Sequence, residues 1–353
     1  MIAPGATIGI IGGGQLGRML AMAAAQLGYR CHVYSPEPSG PAADVCARWI
    51  QSRYDDRAAL AAFAAQCQVV TYEFENVDAD PLEAVAERVP LFPPLRALRV
   101  AQDRIAEKRF AEQQGARTAP WAGVLSRATL DNAINRVGTP AILKTTRFGY
   151  DGKGQARLHS FREADAAWHA IGGRAALLEG FVQFEHEFSV LVARGTDGHM
   201  IGWPVPENRH EDGILRVSTV PAHPAVGRVA EEAVHTVERI AVALDYVGVL
   251  AVEFFATPEG PVFNEMAPRV HNSGHWTIEG ASVSQFEAHI RAICGLPLPF
   301  PRLRSPRVTM QNLIGDDVGA WDRLLEEPDT HLHLYGKHEA RPGRKMGHVT
   351  RLS

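Results

Sequence analysis

Two glutamates in the second half of the chain are spaced so that they could share a metal ion. An apolar run at residues 248–255 carries Glu253, turn residues follow at 257–260, and a second apolar run at 261–264 leads directly to Glu265. This pattern predicts a β-hairpin in which the two glutamates face each other, with Cβ atoms ~5 Å apart. Facing carboxylates repel unless a cation lies between them, and Mg²⁺ or Mn²⁺ prefers such oxygen ligands.

The alternative for this hairpin is a shift of one residue in the pairing of its strands. Such a shift would turn one glutamate to the opposite face and towards solvent, and no metal site would form. Several polar residues close to the second run favour the metal site, because the end of a structural strand rarely gathers so many. They are Asn264, Arg269, His271, Asn272 and Ser273.

A lysine at the end of an apolar strand precedes a loop rich in glycine. The strand predicted at Ala141–Thr145 contains Lys144, and the loop at residues 147–155 contains three glycines. The backbone N–H groups of such a loop can approach phosphate oxygens, and the loop can fold over a nucleotide to exclude water. It lacks the spacing of a Walker motif, and for the loop alone an exposed hairpin turn is an equally good interpretation.

Two acidic residues lie close to the apolar run at residues 177–182. Glu179 lies within this run, and Glu187 follows eight residues later. Carboxylates beside apolar strands could accept hydrogen bonds from an adenine amine or from ribose hydroxyls, as a nucleotide pocket requires. Taken singly, each of the two is more often a surface acid at the end of a strand.

The glycine-rich segment at residues 12–17 fits the pattern GxGxxG and lies between a predicted strand and a predicted helix. Glycines allow a tight turn there, and N–H groups at a helix start can bind an anion. A dinucleotide site also requires an acid at the end of the second strand, at residues 30–34. The nearest acid, Glu37, lies beyond that end and between two prolines. We therefore favour a turn that serves another ligand over a nicotinamide site, because the pattern alone is weak.

The elements that position these residues are predicted from the apolar pattern. Strands alternate with helices in the first segment, which indicates a Rossmann-like α/β domain with a parallel sheet. The predicted strands are Thr7–Ile11, 30–34 and 69–73, and the predicted helices are 15–27 and 56–66. One helix at 96–114 follows this segment.

Beyond this helix, hairpins mix with helices in a pattern typical of an α+β domain. Its predicted strands are Ala141–Thr145, 175–181, 187–193, 248–255 and 261–264, and its predicted helix is 226–244. From residue 295 the chain is rich in proline, which indicates a linker into a small C-terminal unit. We therefore expect three domains, at residues 1–95, 96–294 and 295–353.

The composition of the 353-residue chain excludes several classes of function. A net charge of −4 is too small and of the wrong sign for a protein that holds nucleic acid along a large surface. No apolar stretch approaches the length of a membrane span. The four cysteines are too sparse for a disulfide framework, so we expect reduced thiols and a cytoplasmic protein.

Six motifs, and their order along the chain, resemble those of a known family. They are GGGQLGRM at 12–19, GYDGKGQ at 149–155, EDGILR at 211–216, NEMAPRVHNSGHWT at 264–277, GASVSQFE at 280–287 and RPGRKMGH at 341–348. Together they span nearly the whole chain. They resemble the ATP-grasp superfamily, and within it the 5-(carboxyamino)imidazole ribonucleotide synthases of purine biosynthesis. The resemblance implies an ATP-grasp fold for the central domain and a homodimer.

The resemblance also implies an ATP-dependent ligase. ATP, bicarbonate and aminoimidazole ribonucleotide would give the 5-carboxyamino product, ADP and phosphate. Bicarbonate is a poor electrophile because hydroxide is a poor leaving group, and phosphorylation to carboxyphosphate supplies a better one. The 5-amino group would take up the carbon either directly from carboxyphosphate or as locally released CO₂, and both routes stay open.

The resemblance further implies roles for individual residues. Lys144, Asp151 and Arg269 would be catalytic, with Arg269 stabilising the charge of carboxyphosphate, and Glu253 and Glu265 would bind the metal. The nucleotide would contact Arg104, Lys144, Gly149, Tyr150, Asp151, Gly152, Lys153, Gly154, Gln155, Glu179, Gly180, Phe181, Val182, Glu187, His210, Asn264 and Glu265. The ribonucleotide would contact Gln15, Leu16, Glu73, Tyr150, Asp151, Arg269, His271, Asn272, Ser273, Lys337 and Arg344. Of these residues, Lys337 and Arg344 would bind its phosphate.

Three other functions compete with this interpretation. A formate-using transformylase of the same superfamily would share the nucleotide half, but the HNSGHW and RPGRKMGH motifs favour the carboxylase. A nicotinamide oxidoreductase requires the ribose-binding acid that the second strand lacks. A nucleotide-binding regulator without catalysis predicts damage at one of four residues, all of which are present. These are Lys144, Glu253, Glu265 and Arg269.

Overall fold

The computed structural model describes residues 1–147 and 154–353. Five predicted nucleotide-loop residues lie outside these ranges, and they are Gly149, Tyr150, Asp151, Gly152 and Lys153. Within the described ranges, the helices are too short or too polar to cross a lipid bilayer.

The first part of the chain forms a four-stranded parallel sheet. Its strands are β1 (Thr7–Ile11), β2 (Arg30–Ser35), β3 (Arg48–Gln51) and β4 (Val69–Tyr72), and its helices are α1 (Gln15–Gln26), α2 (Arg57–Ala64) and α3 (Glu83–Ala86). The strand order is β3-β2-β1-β4, and β1 is buried along its whole length because both faces of the sheet are covered. The predicted parallel sheet is confirmed, whereas β3 was not predicted.

The single helix predicted at 96–114 is wrong, because the structure has two helices there. They are α4 (Leu95–Ala101) and α5 (Arg104–Gln113). Asp103 separates them, since its carboxylate accepts hydrogen bonds from the backbone N–H groups of Ile105 and Ala106, both at 2.9 Å. These bonds cap α5 and fix the residue at which it begins.

A small antiparallel sheet follows in the order β5-β8-β6-β7. Its elements are β5 (Trp121–Val124), α6 (Arg127–Val137), β6 (Ala141–Thr145), β7 (Gln155–Leu158), α7 (Ala164–Ala170) and β8 (Ala176–Gly180). Leu130 of α6 packs with Leu143 of β6 and Leu178 of β8 in a separate apolar core. Lys144 and Glu179 therefore lie on adjacent strands that share this core.

The remaining strands form one large sheet. They are β9 (His186–Arg194), β10 (Met200–Gly202), β11 (Glu207–Glu211), β12 (Ile214–Val220), β13 (Gly248–Thr257), β14 (Gly260–Ala267), β15 (Val308–Ile314), β16 (Thr330–Leu334) and β17 (Lys345–Leu352). The helices in this part are α8 (Pro224–Ala243), α9 (Thr277–Gly280), α10 (Gln285–Ile293) and α11 (Trp321–Glu326). The order is β14-β13-β9-β11-β12-β15-β17-β16, and β10 pairs with β9. Thus the last three strands continue the sheet that bears the β13–β14 hairpin.

Helix α10 joins the first sheet to the large sheet. Leu20 of α1, Val249 of β13 and Ile290 of α10 are all fully buried in one apolar core. This packing holds the glycine-rich turn before α1 near the β13–β14 hairpin. The predicted domain boundaries at residues 95 and 294 stay predictions.

Candidate active site

The β13–β14 hairpin brings the two predicted metal ligands together. Glu253 lies directly opposite Glu265, as the sequence predicts. The pairing depends on a β-bulge, since Phe254 pairs with Phe263 and leaves Asn264 as an extra residue. Without that bulge Glu253 would face Asn264. The bulge therefore places two carboxylates on the same side of the hairpin.

The two carboxyl groups have different electrostatic surroundings. Burial raises the pKa of Glu253 to about 7, and the negative charges of Glu265 and Glu187 add to the effect while His210 opposes it. Burial also acts on Glu265, but Arg104 and Lys144 outweigh it and lower the pKa of that carboxyl. The Arg104 guanidinium lies 3.2 Å from Glu265. A cation between the two carboxylates would relieve the repulsion that the hairpin imposes.

Two clefts meet at this acid pair. One of about 360 Å³ opens towards the first sheet and includes Gln15, Leu16 and Glu73. The other, of about 380 Å³, opens towards the small sheet and includes Lys144 and Gln155. The residues that line both clefts are Arg104, Glu253, Glu265, His271, Asn272 and Lys345. The two clefts therefore adjoin each other at the acid pair.

Several predicted nucleotide residues surround the second cleft. His210 and Glu187 both line it, and the His210 ring is hydrogen-bonded to the Glu187 carboxylate. Burial lowers the pKa of His210, but its bond to Glu187 and the nearby carboxylates outweigh burial and raise it. Asn264 also lines this cleft, and the carbonyl of Gly154 accepts a hydrogen bond of 2.8 Å from the backbone of Thr145.

The segment predicted to contact adenine, at residues 179–182, has different surroundings from the predicted nucleotide residues at the second cleft. Among the described residues, none of Glu179, Gly180, Phe181 and Val182 lines either of the two clefts. The Glu179 carboxylate lies 2.5 Å from the Lys108 ammonium and 2.6 Å from that of Lys144. Burial would raise the pKa of Glu179, but the two lysines lower it to about 2. This carboxylate is therefore ionised and paired.

On the other side of the acid pair, Arg269 is held by a partner from the first domain. Glu75 accepts hydrogen bonds from Nε and Nη2 of Arg269, the second at 2.8 Å. Burial would raise the pKa of Glu75, but Arg269 lowers it. Sequence reasoning missed Glu75, which lies 194 residues from its partner. The bidentate pair fixes the plane of the guanidinium beside the first cleft.

The glycine-rich turn is filled by a carboxylate of the protein itself. Glu73 accepts hydrogen bonds from the backbone N–H groups of Gly14 and Gly17, the latter at 2.5 Å. A side chain at Gly12 would lie 2.4 Å from Glu73, which explains the glycine there. Burial raises the pKa of Glu73. Two N–H groups that would bind a dinucleotide pyrophosphate are thus already occupied.

Buried side-chain amides hold the HNSGHW motif in place. Two of them, Gln285 and Asn312, were not identified from the sequence. Gln285 accepts from the backbone N–H of His271 at 2.8 Å and donates to its carbonyl at 2.7 Å. Asn272 and Asn312 donate to each other at 2.9 and 2.6 Å. The Ser273 hydroxyl is hydrogen-bonded to the His271 ring, whose Nε2 lies 3.8 Å from Glu253.

Lys337 and Arg344 meet at a third cleft, of about 520 Å³, between the first sheet and the C-terminal strands. Glu73 and Trp49 line the same cleft, so it adjoins the glycine-rich turn. Lys337 donates to the Lys345 carbonyl at 2.7 Å, and Arg344 donates to the Glu339 carbonyl at 2.8 Å. The structure thus brings together the two basic residues for which the family resemblance implies a role at a substrate phosphate.

Family models match three consecutive parts of the chain. Residues 5–102 match a ribonucleotide synthetase preATP-grasp domain, and residues 109–286 match an ATP-grasp domain. Residues 309–353 match a phosphoribosylaminoimidazole carboxylase C-terminal domain. The predicted combination of a Rossmann-like domain, an ATP-grasp domain and a small C-terminal domain is therefore confirmed.

Individual relatives cover almost the whole chain. N5-carboxyaminoimidazole ribonucleotide synthase of Brucella melitensis is 52% identical over 352 residues, which are 99% of this chain and 97% of the relative. The Staphylococcus aureus N5-carboxyaminoimidazole synthetase complexed with ADP is 37% identical, with a TM-score of 0.95 over 100% of this chain and 94% of that one. The Aspergillus clavatus synthase in complex with ADP and 5-aminoimidazole ribonucleotide is 33% identical, with a TM-score of 0.92 over 99% and 94%. The chain belongs to the N5-carboxyaminoimidazole ribonucleotide synthase family of ATP-grasp ligases.

Proposed function

We propose that this protein carboxylates 5-aminoimidazole ribonucleotide with bicarbonate and ATP, and that ADP and phosphate are released. The product would be 5-carboxyaminoimidazole ribonucleotide, on the route of de novo purine (IMP) biosynthesis. The observation that carries the proposal is the meeting of two clefts at the Glu253–Glu265 pair. The second cleft would take ATP and the first would take the ribonucleotide, and family membership supports this assignment.

The reaction needs two group transfers at adjacent places. An oxygen of bicarbonate attacks the γ-phosphorus of ATP, the bond to ADP breaks, and carboxyphosphate forms. The 5-amino nitrogen of the ribonucleotide then forms a bond to the carboxyl carbon, or to CO₂ released from it. The carbon–oxygen bond to phosphate breaks during the attack of the amine in the first route and on release of CO₂ in the second, and phosphate can accept the proton that the amine loses. Enclosure of carboxyphosphate between the clefts would protect it from hydrolysis.

In this proposal Glu253 and Glu265 hold Mg²⁺ or Mn²⁺. The facing carboxylates fit a hard cation, and the described part of the chain brings no third histidine, cysteine or carboxylate ligand to them. Phosphate oxygens of ATP and water would complete the coordination, as is common for Mg²⁺. When bound, the ion neutralises charge that develops on the transferred phosphoryl group. Asn264, at the bulge beside Glu265, would support this site.

The nucleotide half is assigned from geometry together with the family resemblance. Lys144 and Arg104, which both line the second cleft, would contact the ATP phosphates, and Glu187 would contact the ribose. The adenine would lie near Glu179, Gly180, Phe181 and Val182. The remaining proposed nucleotide contacts are Gly149, Tyr150, Asp151, Gly152, Lys153, Gly154, Gln155 and His210.

The ribonucleotide half is assigned in the same way. Arg269, oriented by Glu75, would stabilise the negative charge on carboxyphosphate. Lys337 and Arg344 would bind the ribonucleotide phosphate, since both line the third cleft. The contacts proposed for the rest of this substrate are Gln15, Leu16, Glu73, Tyr150, Asp151, His271, Asn272 and Ser273.

The test is ADP release by the purified protein under single omissions. We expect release only when ATP, Mg²⁺, bicarbonate and 5-aminoimidazole ribonucleotide are all present. A parallel reaction with formate and glycinamide ribonucleotide distinguishes the related transformylase. Equal stimulation by that pair would replace the proposed function with formyl transfer.

We also propose a homodimer and a cytoplasmic location. The homodimer is supported by the family resemblance alone, and light scattering after gel filtration would measure it. The cytoplasmic location is supported by the four cysteine thiols, all of which are unpaired in the structure. Fractionation of the source cells would test it.

A further inference from the structure

Lys108 is a buried cation that no step of the proposed reaction uses. It lies on α5 four residues after Arg104 and is only 2% exposed. Its ammonium contacts Glu179 at 2.5 Å, the Asn264 carbonyl at 2.9 Å and the Phe263 carbonyl at 3.2 Å. An ammonium has three N–H donors, so these three acceptors satisfy it completely. The residue therefore joins α5 to both the small and the large sheet.

Glu179 connects Lys108 to the nucleotide cleft through Lys144. The side chain is buried, and each of its two oxygens contacts a different lysine, Lys108 or Lys144. Lys144 reaches from this contact into the cleft, which it lines. Both carboxylate oxygens thus already have charged partners. A carboxylate held in this way can orient Lys144, and an adenine amine would have to compete with an ammonium for it.

The charges of the three side chains explain why two lysines are needed. Two ammonium groups and one carboxylate leave a net charge of +1 beside the space for nucleotide phosphates. With Lys144 and Glu179 alone the net charge would be zero, and the buried carboxylate would draw the only remaining ammonium to itself. Lys108 removes this competition, because it supplies Glu179 with a second cation outside the cleft.

We propose that Lys108 is a positioning residue for nucleotide binding, and that the Glu179 carboxylate acts through Lys144 instead of recognising adenine. Lys108 anchors Glu179 to the backbone of β14, and Glu179 in turn orients the Lys144 ammonium towards the phosphates. The inference rests on the proposed use of ATP. It does not depend on which acceptor is carboxylated.

The test measures dissociation constants of ADP and IDP by titration calorimetry, with Mg²⁺ and without bicarbonate or ribonucleotide. The two nucleotides have the same phosphates and differ at the amine of the base. Lys108→Met should weaken both by the same factor, on the order of tenfold, the size of one charge-assisted contact. Arg109→Met removes an exposed cation from the next position of α5 and is the matched control.

A second variant separates positioning from simple damage to the fold. In Lys108→Met combined with Glu179→Gln, Lys144 regains its net positive charge, so binding of both nucleotides should recover relative to Lys108→Met alone. Melting temperature and gel filtration show whether each variant is folded. Absence of recovery in a folded double variant would show that competition between Glu179 and the phosphates for Lys144 does not explain the effect of Lys108, and would overturn the proposal.

Glu179→Gln alone tests the remaining part and does not require the Lys108 variant to fold. We expect the affinities for ADP and IDP to change by the same factor, because the amide no longer binds Lys144 tightly. Selective weakening of ADP would mean that Glu179 recognises the adenine amine, and the proposal would be wrong. Failure of the proposed carboxylation would leave these binding results unchanged, so the two failures can be told apart.

Discussion

Replacement of His289 by glutamine should make the stability of the protein less sensitive to acid. His289 is fully buried on α10 between the first sheet and β13. Its Nδ1 accepts a hydrogen bond of 3.1 Å from the backbone N–H of Val249, and its Nε2 lies 2.8 Å from the Thr71 hydroxyl. The proton of the neutral ring is therefore on Nε2. A second proton on Nδ1 would point at the N–H of Val249, so the folded protein should resist protonation of this ring.

The size of the effect follows from the two protonation states. Burial lowers the pKa of His289 from 6.5 to about 3, whereas the unfolded chain keeps the ordinary value. The neutral ring therefore contributes stability above about pH 6.5, and this contribution is lost as the pH falls towards 3. At about pH 5 the unfolded state has gained the proton and the folded state has not. The free energy of unfolding should then be lower by about 2 kcal/mol than at about pH 7.5.

Urea denaturation at these two pH values is the appropriate assay. The quantity of interest is the drop in unfolding free energy from about pH 7.5 to about pH 5, which should be about 2 kcal/mol smaller in His289→Gln than in the original protein. Any loss of stability common to both pH values cancels in this difference. His235→Gln, which removes an exposed imidazole from α8, controls for the loss of a histidine. An equal drop in His289→Gln and the original protein would refute the reasoning, because the ring would then gain its proton in the folded state as well.

Three further predictions concern the active site. Glu75→Gln leaves Arg269 without its charged partner, so we expect the free energy of unfolding to fall by about 1.5–3 kcal/mol and turnover to fall as well. An unchanged urea midpoint together with unchanged turnover would contradict this. Lys337→Met or Arg344→Met should raise the KM for aminoimidazole ribonucleotide about tenfold or more and leave the KM for ATP nearly constant, and a larger effect on ATP would assign these residues elsewhere. Glu253→Gln should lower the rate of ADP release about a hundredfold without lowering the melting temperature, and a variant with nearly full turnover would exclude Glu253 as an essential metal ligand.

The sequence predicts the acid pair because a β-hairpin is a local structure. Short apolar runs and turn residues were sufficient to place Glu253 opposite Glu265, and the structure confirms the pair. The details differ, since Thr257 pairs with Gly260 around a two-residue turn and the bulge at Asn264 then restores the predicted pairing. A bulge depends on how a strand meets its neighbours, so the pattern of one strand does not reveal it.

The partners of the site residues were not predictable because they come from distant parts of the chain. Glu75 lies in the loop after β4, whereas Arg269 follows β14. Glu107 and Lys108 belong to a helix rich in charge, and composition does not show which charges are buried. Burial raises the pKa of Glu107 to about 8. By contrast, the break before α5 had a readable signal, since aspartate is a favoured capping residue and Asp103 stands directly before the helix.

Helix α5 has a consequence for the behaviour of the protein in concentrated solution. β14 lies at one edge of the large sheet. An edge strand presents N–H and C=O groups to which a strand of another molecule can add. Here side chains of α5 take these groups, as Lys108 binds the carbonyls of Phe263 and Asn264, and Glu107 accepts from the N–H of Met266 at 2.6 Å. The free edge of the strand that carries Glu265 is thus covered by the side chains of Glu107 and Lys108, and by the backbone of Arg117, whose carbonyl accepts a hydrogen bond of 2.8 Å from the N–H of Phe263. This cover shields the strand from aggregation.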